Sequence, residues 1–382
     1  MPSDAALTVS LGEGRSYPMH VAPLGEVPAR MKTADLRAGR CLVVTDENVA
    51  SHYRTPLVEA LETAGWTPHV VVLPPGEETK SVAPLRKLYD QALDWGLDRR
   101  TPVVALGGGV IGDLAGFAAA TLLRGLPLVH VPTSLVAQVD ASLGGKTGIN
   151  HPQGKNLIGA FWQPRLVAAD PHTLATLPER EWRGGLAEVV KHALIEGAGT
   201  TGEESEDGSL RAFLDTHRDA ITGRRPEAVA AMIPKAARVK ARIVEADERE
   251  AGLRAVLNFG HTFGHAVERA AGYGAVTHGE AVALGMRAAL VLSRRRAGLP
   301  GNDVERAWRL TQMVAVPPEA TRPSLAELRA AMQSDKKNVG DTVRFVLLRG
   351  LGDPEIVGGL SDDDLSAAWS AACESARAAA LA

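Results

Sequence analysis

The chain has 382 residues, with 42 Lys and Arg against 45 Asp and Glu, and a formal charge of −3. Its 45% hydrophobic and 23% charged content is ordinary globular composition, which excludes a fibrous or disordered chain. At roughly 100–200 residues per domain the length predicts two or three domains, and the missing basic excess argues against a nucleic-acid partner. In chain order, Cys41–Thr45, His69–Leu73, Pro102–Leu106 and Leu128–Val131 are short β-branched runs followed by turn residues. Helix-like segments lie between them, at Ala50–Ala64 and Val82–Leu93. This alternation predicts parallel βαβ units with ligands at the carboxyl ends of the strands.

From about Pro178 the pattern changes to longer helical segments, Ala228–Glu245 and Glu280–Arg296, before Pro317, Pro318 and Pro323 interrupt it. The expected organisation is an α/β nucleotide-binding domain with a parallel sheet over 1–177. A mainly helical metal- and substrate-binding domain follows over 178–382. The acidic, glycine-rich stretch Gly197–Gly208 reads as a solvated loop. Cys41 and Cys373 make neither a disulfide framework nor a thiolate metal site. Asp4 stands where a secretory signal would be basic, and the longest apolar stretches, broken at Asp113 and Arg124, fall short of the ~20 residues of a membrane helix. A cytoplasmic protein without a membrane partner is expected.

Gly107-Gly-Gly-Val-Ile-Gly-Asp113 follows a predicted strand and opens a predicted helix, where bare backbone can approach a phosphate. The spacing is not G-x-G-x-x-G, and a tight turn without ligand remains the alternative. Asp46 and Asn48 lie just past the first strand, Glu77 and Lys80 past the second, where an α/β sheet touches a nucleotide. Asp140 to Lys146 and Gly154-Lys155-Asn156 set cations among glycines and read as a loop that can wrap an anionic, hydroxylated ligand, a merely solvated loop being the alternative, and Arg124 adds another cation. Glu188 and Lys191 share a helical face at i, i+3, as His261 and His265 do at i, i+4; with His278 they offer two imidazoles and a carboxylate. Three such ligands leave a coordination position open, as catalytic zinc sites do. Paired core histidines are the competing reading. Arg254, Asn258, His261 and His265, if helical throughout, form a polar seam among apolar neighbours, and Lys240 and Glu250 could join that wall.

The motifs GGGVIGDLAGFAAA, PTSLVAQVDASLGGKTGIN running to GKNLIGAF, LAEVVKHALI, NFGHTFGHAVE, HGEAVALGM and SDKKNVGDTVRFVLL resemble, in order, those of the 3-dehydroquinate synthase family within the sugar phosphate cyclases. The resemblance covers residues from about 41 to 350. It implies a divalent metal, zinc or cobalt, on Glu188, His261 and His278. It implies NAD contacts from Asp46, Asn48, Glu77, Lys80, Gly108, Gly109, Val110, Asp113, Thr133, Ser134, Lys146, Lys155 and the Thr173–Thr176 stretch. Lys146, Lys191, Arg254, Asn258 and His265 would act on a sugar phosphate also held by Arg124, Asp140, Asn156, Lys240, Glu250, and Lys336 or Lys337. A homodimer is implied as well. The implied reaction is phosphate elimination and ring closure with transient oxidation by NAD. The competing readings are the amino-dehydroquinate branch, another sugar phosphate cyclase, and an NAD- and metal-dependent alcohol dehydrogenase.

Overall fold

The computed structural model describes residues 6–200, 208–272, 275–335 and 343–374. The chain forms two compact units. The first holds Met1–Leu177 and Val229–Arg249, the second Pro178–Ala228 and Glu250–Ala382. The expected parallel α/β region and helical region are both present. The sequence division at residue 177 assigns Val229–Arg249 to the second part, whereas contacts group it with the first. The reason is local: Glu248 pairs with Arg15 and accepts a hydrogen bond from Gln163, and Glu245 accepts one from the Ser10 N–H.

In the first unit, strands β1 (Leu7–Val9), β2 (Tyr17–Val21), β3 (Arg40–Asp46), β4 (Thr67–Leu73), β5 (Val103–Gly107), β6 (Leu128–Pro132) and β9 (Leu166–Ala169) form one sheet in the order β1-β2-β9-β6-β5-β3-β4. β1 and β2 pair antiparallel and the remaining pairs are parallel. Successive residues of β3 serve opposite faces: Leu42 and Val44 enter one apolar cluster, Cys41 and Val43 the other. Both faces are therefore covered, which is why these strands read as unbroken β-branched runs. Burial also pushes the Cys41 thiol up to about 12, leaving it unreactive. The chain runs from β3 to β4 on one side and from β5 to β6 on the other, so the strand order reverses between β3 and β5. Crevices at such a reversal receive the ligand in open α/β sheets.

The stretch from Lys146 to Phe161 is a hairpin rather than the loop read from sequence, with β7 (Lys146–His151) pairing antiparallel to β8 (Gly154–Phe161). Its glycines misled that reading. They are there because Gly148 and Gly159 bring the two backbones together, where an added Cβ would lie 2.6 and 2.2 Å from backbone oxygens of the opposite strand.

The second unit is helical, with a small antiparallel pair, β10 (Arg344–Gly350) and β11 (Asp353–Gly358). Its central helices are Glu179–Leu194, His261–Ala271 and His278–Leu292. The last opens on a capping box in which Thr277 accepts from the Glu280 N–H and Glu280 returns to the Thr277 N–H. No helix among the described residues is long and apolar enough to cross a membrane.

His130 on β6 is 5% exposed, and burial pushes its imidazole down to about 4. An unfolded histidine takes up its proton near 6.5, so stability falls as pH drops from that value toward 4, by about 3 kcal/mol in all. His130→Gln should lose correspondingly less stability than the wild type between pH 7 and pH 4 in urea unfolding. An identical loss in both proteins would contradict this.

Candidate active site and metal centre

Glycines decide where the three central helices meet. A Cβ on Gly279 would lie 2.1 Å from the Gly184 carbonyl oxygen, and one on Gly285 would lie 2.0 Å from that of Gly260. Those approaches are closed to any residue with a side chain. Glu188 lies one turn beyond Gly184, and His261 and His278 directly adjoin Gly260 and Gly279, so the three converge. Glu188 Oε1 stands 3.6 Å from His261 Nε2 and 3.3 Å from His278 Nε2, and the three ligand atoms all lie within 4.8 Å of one another.

These separations fit a metal. Bonds of about 2.1 Å at tetrahedral angles place ligand atoms about 3.4 Å apart. The remaining imidazole nitrogens face acceptors: His278 Nδ1 is 3.2 Å from Glu268 Oε2, and His261 Nδ1 is 3.3 Å from the Phe259 carbonyl. With a metal bound, protons kept on the two Nδ1 atoms would leave both Nε2 lone pairs free to coordinate it. Charge supports the same conclusion. Burial opposes ionisation of Glu188, but Lys191, His261 and His278 outweigh it and hold the carboxyl well below its ordinary value. Burial lowers His261. His278 rises to about 10, because the Glu188 and Glu268 carboxylates overcome its burial. Lys191 contacts Glu188 directly, so the i, i+3 spacing is realised as an ion pair.

The continuous helical seam does not form. Leu253–Asn258 is a 3-10 turn, Gly260 takes φ +80°, and a new helix starts at His261. The break turns the Phe259 carbonyl toward His261, which an unbroken helix could not do. Arg254 is fully buried, while Asn258, His265 and Glu250 are exposed. His265 remains on the His261 face, their rings 5.4 Å apart and edge-on. Glu268 escaped the sequence reading, although it lies one turn beyond His265 on that face. A carboxylate there was the available signal.

In the first unit, the Gly109–Thr121 helix begins directly beyond β5, with Gly108 at its cap in an extended conformation and no side chain capping the first turn. Its leading N–H groups, Val110 among them, are thus presented at the β3/β5 reversal, where a pyrophosphate would accept them. A Cβ on Gly108 would press on Ser134 Oγ at 3.3 Å. Lys80, 4% exposed, contacts Asp113 in the first turns of this helix. Burial raises the Asp113 carboxyl, against the pull of Lys80. One Asp46 oxygen caps the Val49 N–H at 3.1 Å, and Asn48 is exposed beside it. Thr133 is buried past β6. Thr173 and Thr176 are held by Tyr53, whose hydroxyl donates to the Thr173 carbonyl at 2.9 Å and lies 2.7 Å from Thr176 Oγ1. Lys146, Lys155 and Asn156 are exposed on the hairpin. Asp140 contacts Lys240, so two residues expected at a substrate meet each other. Arg124 is exposed on a left-handed turn at φ +67°. Lys336 and Lys337 lie outside the described residues, as does 201–207 of the acidic stretch.

Residues 70–184 match the family model for the 3-dehydroquinate synthase N-terminal region, and 185–338 match its C-terminal counterpart. A curated 3-dehydroquinate synthase from Salinibacter ruber (strain DSM 13855 / M31) is 55% identical over 379 residues, spanning 98% of this chain and 100% of that protein. The chain belongs to the 3-dehydroquinate synthase family. Among solved structures, 2-epi-5-epi-valiolone synthase from Streptomyces hygroscopicus subsp. jinggangensis 5008, with NAD+ and Zn2+ bound, superimposes with TM-score 0.82 at 31% identity, covering 96% of this chain and 99% of its own. A 2-deoxy-scyllo-inosose synthase complexed with carbaglucose-6-phosphate, NAD+ and Co2+ gives TM-score 0.80 at 26% identity, with the same coverages.

Removing the carboxylate behind His278 tests the centre. Glu268→Ala should lower zinc affinity roughly 10- to 100-fold, read by competition with a chromophoric chelator. Wild-type affinity in that variant would remove Glu268 from the account.

Proposed function

We propose that the chain is a 3-dehydroquinate synthase, converting 3-deoxy-D-arabino-heptulosonate 7-phosphate to 3-dehydroquinate and inorganic phosphate. The observation that carries this reading is the convergence of Glu188, His261 and His278, with Lys191 beside them, in a chain 55% identical to a protein of that name. The identities of 31% and 26% to synthases of other cyclitols are lower.

NAD, when bound, supplies a hydride acceptor that is restored in each turnover, so the reaction is redox-neutral overall. The metal, zinc or cobalt on Glu188, His261 and His278, supplies a Lewis acid for substrate hydroxyls. The chain's own residues bind and orient. The uncapped first turn at Gly108, Gly109 and Val110 donates N–H groups to the dinucleotide's phosphates. Asp46, Asn48, Glu77, Lys80, Asp113, Thr133, Ser134, Lys155, Thr173 and Thr176 complete that site. The substrate offers a carboxylate and a phosphate, which calls for cations, and Arg124, Lys146, Lys191, Lys240 and Arg254 supply them. Asp140, Asn156, Glu250 and Asn258 hold hydroxyls, with Lys336 or Lys337 as a further cation. His265, exposed on the His261 face, relays protons. The substrate's own phosphate, while still bonded to it, is a base of adequate strength to take the proton whose loss precedes its elimination, so no strongly basic side chain is required. Lysines near developing enolate charge stabilise it as fixed cations. The reading carries with it a place in the shikimate pathway and a cytoplasmic homodimer, both supported by resemblance to the family.

The test mixes purified protein, NAD+, zinc and the heptulosonate phosphate. Phosphate release without net NADH, and with dehydroquinate as product, is expected. Activity only on the aminated substrate or on sedoheptulose 7-phosphate would move the chain to another branch. Steady NADH accumulation would indicate a dehydrogenase.

A further inference from the structure

Asn150 has no role in the site as assigned above, yet both ends of its side chain are engaged. It sits where the register of β7 against β8 shifts, between Ile149 and His151. Such bulges turn a side chain out of the alternation of its strand. Its Nδ2 donates to Glu77 Oε1 at 2.7 Å, and its Oδ1 accepts the Asn156 N–H at 2.9 Å. Its own N–H donates to the Lys80 carbonyl at 2.7 Å. One residue thus ties the turn bearing Glu77 and Lys80 to the hairpin tip bearing Asn156. Asn156 holds φ +58°, a left-handed conformation disfavoured outside glycine, and the bond from its N–H restrains it there.

We propose that Asn150 is a positioning residue that couples nucleotide binding at Glu77 to the conformation of Asn156, and so to the binding of the sugar phosphate. The proposal rests on the assignment of Glu77 to NAD and Asn156 to substrate. NAD occupying the Glu77 side fixes that carboxylate, the carboxylate orients the Asn150 amide, and the amide oxygen holds Asn156 ready. Asn150 acts through its bonds to Glu77 and Asn156. Its signature is therefore a coupling between two affinities rather than the loss of either one.

The test is calorimetric titration with a phosphonate analogue of the heptulosonate phosphate, in which CH2 replaces the bridging oxygen and elimination is blocked. In the wild type, saturating NAD+ should tighten the analogue by a factor within the roughly 5- to 150-fold range of typical couplings, and the analogue should tighten NAD+ equally. In Asn150→Ala that factor should fall toward one, with a thermal midpoint reporting an intact fold. Asn150→Asp keeps the acceptor for Asn156 but sets a carboxylate against Glu77. It too should lower the coupling factor toward one while leaving the analogue's affinity without NAD+ unchanged, and it carries the test if the alanine variant fails to fold, an undiminished factor there overturning the proposal. NAD+ binding with no coupling in the wild type, or an undiminished factor in Asn150→Ala, overturns the proposal alone. Failure of the wild type to bind NAD+ overturns the functional reading beneath it.

Discussion

The close approach of backbone to backbone at Gly184–Gly279 and Gly260–Gly285 is the constraint on which the candidate metal centre depends. Helices carrying ordinary side chains pack with axes about 8–10 Å apart. At Gly184–Gly279 and Gly260–Gly285 the backbones approach more closely than a Cβ would allow. The glycines remove the intervening Cβ atoms, and Glu188 Oε1 comes to 3.3 Å from His278 Nε2. Burying a carboxylate there is costly unless it is paired. Lys191 and the two imidazoles pair it, and Glu268 and the Phe259 carbonyl in turn hold the imidazoles. Each group answers the charge or the proton of the next, so the centre is a chain of dependencies rather than three independent ligands.

The first unit solves a different problem with the same residue type. Its sheet reverses strand order between β3 and β5, and the helix beyond β5 starts without a capping side chain. A helix start left open in this way has unsatisfied N–H groups and a partial positive charge. Around it, Lys80, Asp113, Glu77 and Asn150 form a hydrogen-bonded surround linking three separate segments of chain. The glycines of the β7–β8 hairpin let its strands close on each other, and Asn156 projects from that rigid support.

Much of this was legible in the sequence, for physical reasons. Buried parallel strands must be β-branched, so β3 through β6 announced themselves. The candidate ligands Glu188, His261 and His278 were recognisable because metal chemistry tolerates few residue types, and their motifs are long. The β7–β8 hairpin was not legible, since its glycines serve strand contact yet look like loop. The break at Gly260 was hidden because the spacing of Arg254, Asn258, His261 and His265 suits an unbroken helix. Gln138 and Asn150 were missed because their roles depend on partners far away in sequence, Asp170 and Glu77, whereas Glu268 was missed although it shares the helix face of His265. Gln138 is buried and donates to the Pro132 and Asp170 carbonyls, with Thr173 Oγ1 also within reach, a role no local pattern reveals. The membership of Val229–Arg249 likewise rests on distant partners.

A rival constellation lies beside the metal centre: His265, Glu268 and His278 also bring ligand atoms within 4.8 Å of one another. The two share His278, whose Nε2 faces Glu188 and whose Nδ1 faces Glu268. The most direct measurement is anomalous diffraction at the zinc edge from crystals of the zinc-loaded protein. One peak within about 2.2 Å of Glu188 Oε1, His261 Nε2 and His278 Nε2 is the predicted result. A peak between His265, Glu268 and the opposite nitrogen of His278 would contradict the account.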